Sequence, residues 1–477
     1  MQVLFSVSEC FPFAKSGGLA DVAYALPKAL RNENVDVRII MPKYSDINYD
    51  FLSKMKHITH FNVPVGWRNQ YCGIEYLVID GIPVYFIDNE YYFKRPGYYG
   101  YYDDGERFSF FSRAVLETIN HIDDLKPDII HVNDWHTAII PVLLNEHYRN
   151  SQKHKIIKTV LTIHNLKFQG IFGKEVLSDL LSLNDGYYSE DNLKFYEGIS
   201  FLKGGIIFSD KVTTVSKTYS NEIKTLSYGE GLHGLLSGIG DKLVGIINGI
   251  DYEIYNPKTD SYIYKNYDVN SINDKKENKL LLQRELNLPI SPDIPLIGIV
   301  SRLTSQKGFD LVQKIMEDIL RFDIQLVILG AGDFEYEQMF KYYAMSYPSK
   351  VSANICYSED LSRKIYAASD MFLMPSHTEP CGISQLIALR YGSIPIVRET
   401  GGLRDTVKPY NQYTGEGWGF SFSNYNEFEL LNTIKYAISI FKNPQLWNQI
   451  IKQAMSQDNS WKHSAQEYKR LYSSILK

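Results

Sequence analysis

Cysteine is scarce: four in 477 residues, Cys10, Cys72, Cys356 and Cys381. They form no C-x-x-C pair and no zinc-finger spacing, which excludes a disulfide scaffold and a structural zinc module. Reduced thiols in a cytoplasmic protein are the expectation. Long apolar runs are also missing; none reaches the roughly 20 residues that span a bilayer. The opening Val3–Val7 run is too short, and lacks the basic flank, for a signal peptide. Positive charge is not in excess. The net charge of −5 gives no global field to attract nucleic acid or an anionic membrane. No G-x-x-x-x-G-K-[ST] run occurs, so a P-loop ATPase is not expected. Neither does a G-x-S-x-G elbow or an H-E-x-x-H pair. An Asp-x-Asp triplet, which could carry a nucleotide diphosphate on a divalent ion, is missing as well.

What remains is ordinary globular composition, 44% hydrophobic and 22% charged, with length for two or three cores. Apolar runs followed by helical spacing recur along the chain. Val3–Val7, Val35–Met41, Asp128–Val132 and Lys158–Ile163 mark the first half. Leu296–Val300, Gln325–Leu329, Met371–Met374 and Ile394–Val397 mark the second. Runs apolar on both faces suit central parallel strands, so the expected class is α/β. Two Rossmann-like domains facing a deep cleft are expected. The first spans residues 1–243 and the second 244–455, with a terminal helix, 456–477, packing back on the first. A hinge is expected near 242–250. The polar, lysine-rich stretch Asp260–Lys279 reads as a surface excursion leading to a helix at Leu280–Leu286.

The chemistry-bearing residues follow the strands, where open α/β sheets bind ligands. Lys15-Ser16-Gly17-Gly18-Leu19 comes after the first run. Gly17 and Gly18 permit close backbone approach, and Leu19, Val22, Ala23, Leu26 and Leu30 form the stripe of an amphipathic helix. The helix start would offer N–H groups to an anion, with Lys15 adding a full charge; an ordinary tight turn is the competing reading. Arg302 and Lys307, five apart around a short loop, could grip a diphosphate or be solvated cations. Glu379, in Pro375–Gln385, could accept from sugar hydroxyls or cap the helix behind it, where Ser384 could face phosphate. A glycine pair follows in Thr400-Gly401-Gly402-Leu403. His131-Val132-Asn133-Asp134-Trp135-His136 and His164-Asn165 also end strands. Their histidines hint at a metal, but no ligand spacing ties them together, and no metal is expected. Gly330-Ala331-Gly332 lacks the third glycine of a dinucleotide fingerprint. Seven aromatic residues crowd residues 91–102, either packing against the domain or stacking on sugar rings.

Taken in order, these motifs and Asn248-Gly249-Ile250-Asp251 resemble those of bacterial glycogen synthases and plant starch synthases, over essentially the whole length. The resemblance implies a retaining glucosyltransferase with two Rossmann domains, the GT-B type. Its donor would be ADP-glucose and its acceptor the 4-hydroxyl at the non-reducing end of an α-1,4-glucan such as glycogen. No separate cofactor is implied. Arg302 and Lys307 would hold the diphosphate, with Gly18 and Ser384 contacting it and Lys15 and Gly17 beside the donor. Glu379 and His164 would hold glucose hydroxyls, Asp134 and Asn248 would border the reacting sugar, and Tyr357 would stack on the base. Two positions depart from the pattern. Ser16 stands where threonine is usual, and Ile387 stands where many related transferases carry a ribose-binding glutamate.

No second carboxylate is placed as a covalent nucleophile, so same-face displacement through an oxocarbenium-like transition state is expected. The alternatives are a transferase using UDP-glucose or another acceptor, and a glucan-binding homologue without turnover. A pyridoxal-phosphate phosphorylase would need a Schiff-base lysine, and no site singles one out.

Overall fold

Each continuous apolar run becomes a buried parallel strand. The computed structural model describes residues 1–477 and divides into two compact units, Met1–Asn248 with Trp461–Lys477, and Gly249–Ser460.

The first unit contains β1 (Gln2–Ser6), β2 (Asp36–Pro42), β3 (Lys56–Val65), β4 (Arg68–Ile79), β5 (Ile82–Asp88), β6 (Ile129–Asn133) and β7 (Lys158–Ile163). After these come β8 (Ile171–Phe172), β9 (Lys194–Phe195), β10 (Gly198–Ser200), β11 (Lys211–Thr214) and β12 (Leu243–Gly245). Its main sheet has the order β12-β11-β7-β6-β1-β2-β5-β4-β3, while β8, β10 and β9 form a small antiparallel sheet. The order reverses between β1 and β6, the switch point of a doubly wound sheet. The long hairpin β3–β4 adds an antiparallel edge on β5. Its few buried residues, Val63, Val65 and Cys72–Ile74, stand among exposed and half-exposed ones, so it shows no long apolar run.

The second unit contains β13 (Leu296–Val300), β14 (Gln325–Leu329), β15 (Val351–Asn354), β16 (Met371–Met374), β17 (Ile394–Arg398) and β18 (Phe420–Phe422). The order β15-β14-β13-β16-β17-β18 is parallel throughout and switches between β13 and β16.

The units divide at 248/249 rather than at 243/244. The reason is β12, which continues the first sheet by pairing with β11 as far as Gly245. The terminal helix begins at Trp461 and belongs to the first unit. Tyr472 there lies 2.6 Å from His131 Nδ1, and Lys469 donates to the Glu33 carbonyl.

The stretch 260–274 runs largely over the surface as expected, but it is pinned to the core by buried Asp260, Ile263 and Tyr267. Asp260 is buried and accepts from Tyr391 and Arg363. The helix starts at Lys275, five residues early, because two lysines find partners inside. Lys275 donates to the Ala367 carbonyl, and Lys279 pairs with Asp370 at 2.7 Å. A buried ammonium is tolerated where carbonyls or a carboxylate replace its water.

Candidate active site

In the first unit the switch-point loop after β1 carries Lys15–Gly18. The helix Gly18–Asn32 starts there, Gly17 is its extended N-cap, and no side chain caps it. Its buried face includes Leu19, Val22, Ala23, Leu26 and Leu30, the five expected positions. Lys15 Nζ pairs with Asp21 in the first helical turn at 2.7 Å. Beneath the loop lies a residue that sequence reasoning missed, Glu9. It is buried, and its Oε2 accepts from the Ser16 amide at 2.6 Å and the Ser16 hydroxyl at 2.7 Å. Burial raises its pKa despite those bonds. A hydroxyl at position 16 is therefore used, which is why serine serves there as threonine would.

After β6, Asp134 takes the left-handed region, φ +53°. Its Oδ1 accepts from the backbone amides of His164 at 2.7 Å and Asn165 at 3.4 Å, tying the loops after β6 and β7 together. His164 Nε2 lies 2.9 Å from Asn133 Oδ1. Burial holds the His164 pKa down to about 3, so its ring is neutral. The other histidines separate. His131 is turned into the core between Tyr472 and Thr162. His136 is buried among Tyr99, Phe108 and Trp135, with Nδ1 unpartnered. No group of three His, Cys, Asp or Glu side chains is arranged to hold a metal ion. The crowded aromatics divide too: Tyr92 and Phe93 fill the core, Tyr99 bonds Ser8, and Tyr91 and Tyr102 are exposed. Asn248 is buried, and its Oδ1 has no partner.

Burial pushes the Asp134 pKa up to about 7, with the neighbouring Glu9 also raising it, against the two amide bonds. A carboxyl whose pKa is higher folded than unfolded lends stability below about pH 4. That stability is lost as the pH rises through 7. Asn accepts the same amide bonds, tolerates positive φ and carries no charge. Asp134→Asn is therefore expected to melt like the parent at pH 4 and to be more stable at pH 8 by about 1–4 kcal/mol. Melting curves across that range check it; a gap that does not widen with pH would refute it.

In the second unit the switch point lies between Arg302 and Glu379. The loop 301–308 follows β13, and Arg302 is exposed with no ion-pair partner. Lys307 Nζ meets Glu379 Oε2 at 2.6 Å, and the Ser376 hydroxyl donates to the same oxygen at 3.0 Å. Glu379 is 5% exposed, and both of these bonds fall on its Oε2. Gly308 sits at φ +81°, where a Cβ would stand 2.1 Å from the Pro375 carbonyl oxygen. Gly330 and Gly332, read as a fragment of a dinucleotide fingerprint, have a packing role. A Cβ on them would meet the Ser301 and Leu303 carbonyl oxygens at 1.8 Å and 2.3 Å. Arg398 pins the loop after β16 by donating to the Ser376 and His377 carbonyls. Tyr357 follows β15 and is 80% exposed. Ser384 opens the short helix Ser384–Arg390, while Ile387 is buried in the core. Cys10, Cys72 and Cys381 are buried thiols and Cys356 is exposed; none is bonded to another.

The loops at the switch points can be compared with known proteins. The starch synthase catalytic domain family matches residues 2–238, and glycosyl transferases group 1 matches 286–457. The chain is 72% identical to a glycogen synthase of Caldicellulosiruptor bescii over 477 residues, covering 100% of both. It is 60% identical to a glycogen synthase of Clostridium acetobutylicum, again over the full length of both. The chain belongs to the glycogen and starch synthase family. Among solved structures it resembles the catalytic domain of starch synthase IV from Arabidopsis thaliana, bound to ADP and acarbose. The TM-score is 0.92 at 34% identity, covering 100% of this chain and 99% of that one. A sucrose-phosphate synthase from Thermosynechococcus elongatus, 16% identical with TM-score 0.64, shares the fold. Both units thus have the parallel doubly wound sheets of a GT-B glycosyltransferase. In this member of the glycogen synthase family each switch point combines a cation with a carboxylate, Lys15 with Asp21 and Lys307 with Glu379.

Proposed function

We propose that this chain transfers glucose from ADP-glucose to the 4-hydroxyl at the non-reducing end of an α-1,4-glucan, with retention of configuration. The observation that carries the reading is the loop 301–308, where a free guanidinium precedes an ammonium fixed by a buried carboxylate. A diphosphate takes the fork of Arg302 and the point charge of Lys307. Negative charge grows on it as the sugar departs, so both cations are worth more in the transition state than in the ground state. Lys15, Gly17, Gly18 and Ser384 complete the donor contacts, and Tyr357 offers an exposed ring to the base. These cations neutralise the leaving group themselves, and on that ground we propose turnover without a divalent ion.

Glu379 Oε1 and His164 take hydroxyls of the transferred glucose; Asp134 and Asn248 border it. Retention is taken from the likeness to the family, and the carboxylates bear only on the route by which it is reached. Asp134 holds the amides of His164 and Asn165, and Glu9 holds Ser16. With one oxygen of each tied to the loop it holds, both carboxylates serve as anchors of the loops, which favours attack of the acceptor on the face the diphosphate leaves. The adenine base and the glucan are supported by the full-length likeness to glycogen synthases and by the ADP and acarbose in the Arabidopsis structure.

The test is incorporation of labelled glucose into glycogen from ADP-glucose and from UDP-glucose, with magnesium or with a chelator. Faster transfer from ADP-glucose in both buffers, into α-linked product, is expected. A preference for UDP-glucose would overturn the donor, and glycogen binding without release of ADP would overturn the enzyme.

A further inference from the structure

Asn133 ends β6, is fully buried, and joins two backbone-anchored groups. Its Nδ2 donates to the Ser6 carbonyl at 3.1 Å, and its Oδ1 lies 2.9 Å from His164 Nε2. The chemistry of each group fixes the direction of the chain. A carbonyl oxygen only accepts, so the amide nitrogen of Asn133 must face Ser6. The amide oxygen then faces His164, and it too only accepts, so the proton of the ring must sit on Nε2. The backbone of His164 cannot turn away, because Asp134 Oδ1 holds its amide at 2.7 Å. The ring is neutral, so Nδ1 carries a lone pair, and the ring's hydrogen bond to the protein is made at Nε2.

We propose that Asn133 is a positioning residue that locks His164 in the Nε2–H tautomer, so that Nδ1 meets the donor as a pure acceptor for a sugar hydroxyl. This rests on the reading that His164 touches the transferred glucose. The site then selects a hydroxyl that donates at this position. A carboxylate or fluorine there brings no proton and leaves the lone pair opposed.

The tautomer is testable without turnover. Nitrogen-15 spectra of the whole enzyme labelled at its eleven histidines, with His164→Gln to assign the signal, distinguish the two ring nitrogens. A protonated Nε2 and a bare Nδ1 from pH 6 to 8 are expected; a proton on Nδ1 would overturn the proposal. Asn133→Leu should release the preference and lower kcat by about tenfold or more. Asn133→Asp places a carboxylate against the ring and favours imidazolium, so activity should fall at acid pH and recover as the pH rises. Of the titratable groups nearby, His131 couples to this ring, Asp134 holds the backbone amide of His164, and Glu9 acts on Asp134. All are present in the parent, so the informative quantity is the shift of the acid limb between parent and Asn133→Asp. An unmoved limb, or full turnover in Asn133→Leu with the tautomer altered, counts against Asn133. Full turnover in His164→Ala would instead remove the reading of the sugar contact and leave the tautomer result standing.

Discussion

Arg302→Ala is expected to lower turnover by about 10²–10³-fold while the protein keeps its melting temperature. The two halves of this expectation come from different facts. Arg302 is exposed and has no ion-pair partner, so truncation removes no packing and strands no buried charge. Surface changes of that kind fall within about 0.5 kcal/mol. Its loop is meanwhile held by the Ser301 and Leu303 amides donating to the Leu329 and Ala331 carbonyls, packs closely on Gly330 and Gly332, and leads directly into Lys307. The side chain is thus free on a rigid support, as a group reserved for a ligand should be. Lys307→Ala is a less clean companion. It should lose a similar factor in rate, but it also deprives the buried Glu379 of its ammonium and should cost stability as well. Kinetics with ADP-glucose and glycogen, alongside thermal melts of both variants, make the comparison. Wild-type turnover in Arg302→Ala would remove the diphosphate assignment. An inactive variant that also melts early would shift the cause to folding.

How much of this was legible beforehand depends on the kind of signal. Strands buried on both faces announce themselves as apolar runs, and the expected runs correspond to β1, β2, β6, β7, β13, β14, β16 and β17. The hairpin β3–β4 was missed because it is buried on one side only, and Val63 and Val65 stand among polar residues. The early start of the helix after the exposed stretch is not legible for the opposite reason. Lys275 and Lys279 look solvated in sequence, and only the fold shows the carbonyl and carboxylate that receive them.

The candidate site shows the same division. Lys15, Arg302, Lys307 and Glu379 stand out because they are charged residues in short loops that follow strands and lead into helices. Glu9 and Asn133 do not, since each acts through another residue: Glu9 through Ser16, Asn133 through His164. No spacing rule joins positions 133 and 164; only the pairing of β6 with β7 brings them together. The pairing of Lys307 with Glu379 is likewise not legible, although each stands out alone.

The glycine pair at 401 and 402 gives the last expected result: Gly402→Ala should lose about 10²-fold in turnover and about 1–3 kcal/mol in stability. The pair follows β17 and lies against the loop that presents Glu379. The Gly402 amide donates to the Glu379 and Pro380 carbonyls. A Cβ on Gly402 would stand 2.1 Å from the Cys381 carbonyl oxygen and 2.5 Å from its Cα, while one on Gly401 would stand 1.9 Å from the Glu379 carbonyl oxygen. These neighbours are backbone, so the methyl can be admitted only if residues 379–381 move. Arg398 holds Ser376 and His377, so the displacement falls on Cys381 and passes back along 379–381, pulling Glu379 against its bond to Lys307. Gly401→Ala adds a backbone term, because its φ is +44°. Gly81→Ala separates the two causes: φ is +75° there, but nothing lies within 4 Å of the added methyl. It should lose about 1 kcal/mol to left-handed strain and keep full activity. If Gly402→Ala turned over glucose at the parental rate, the Glu379 loop would not be the element whose position sets the chemistry.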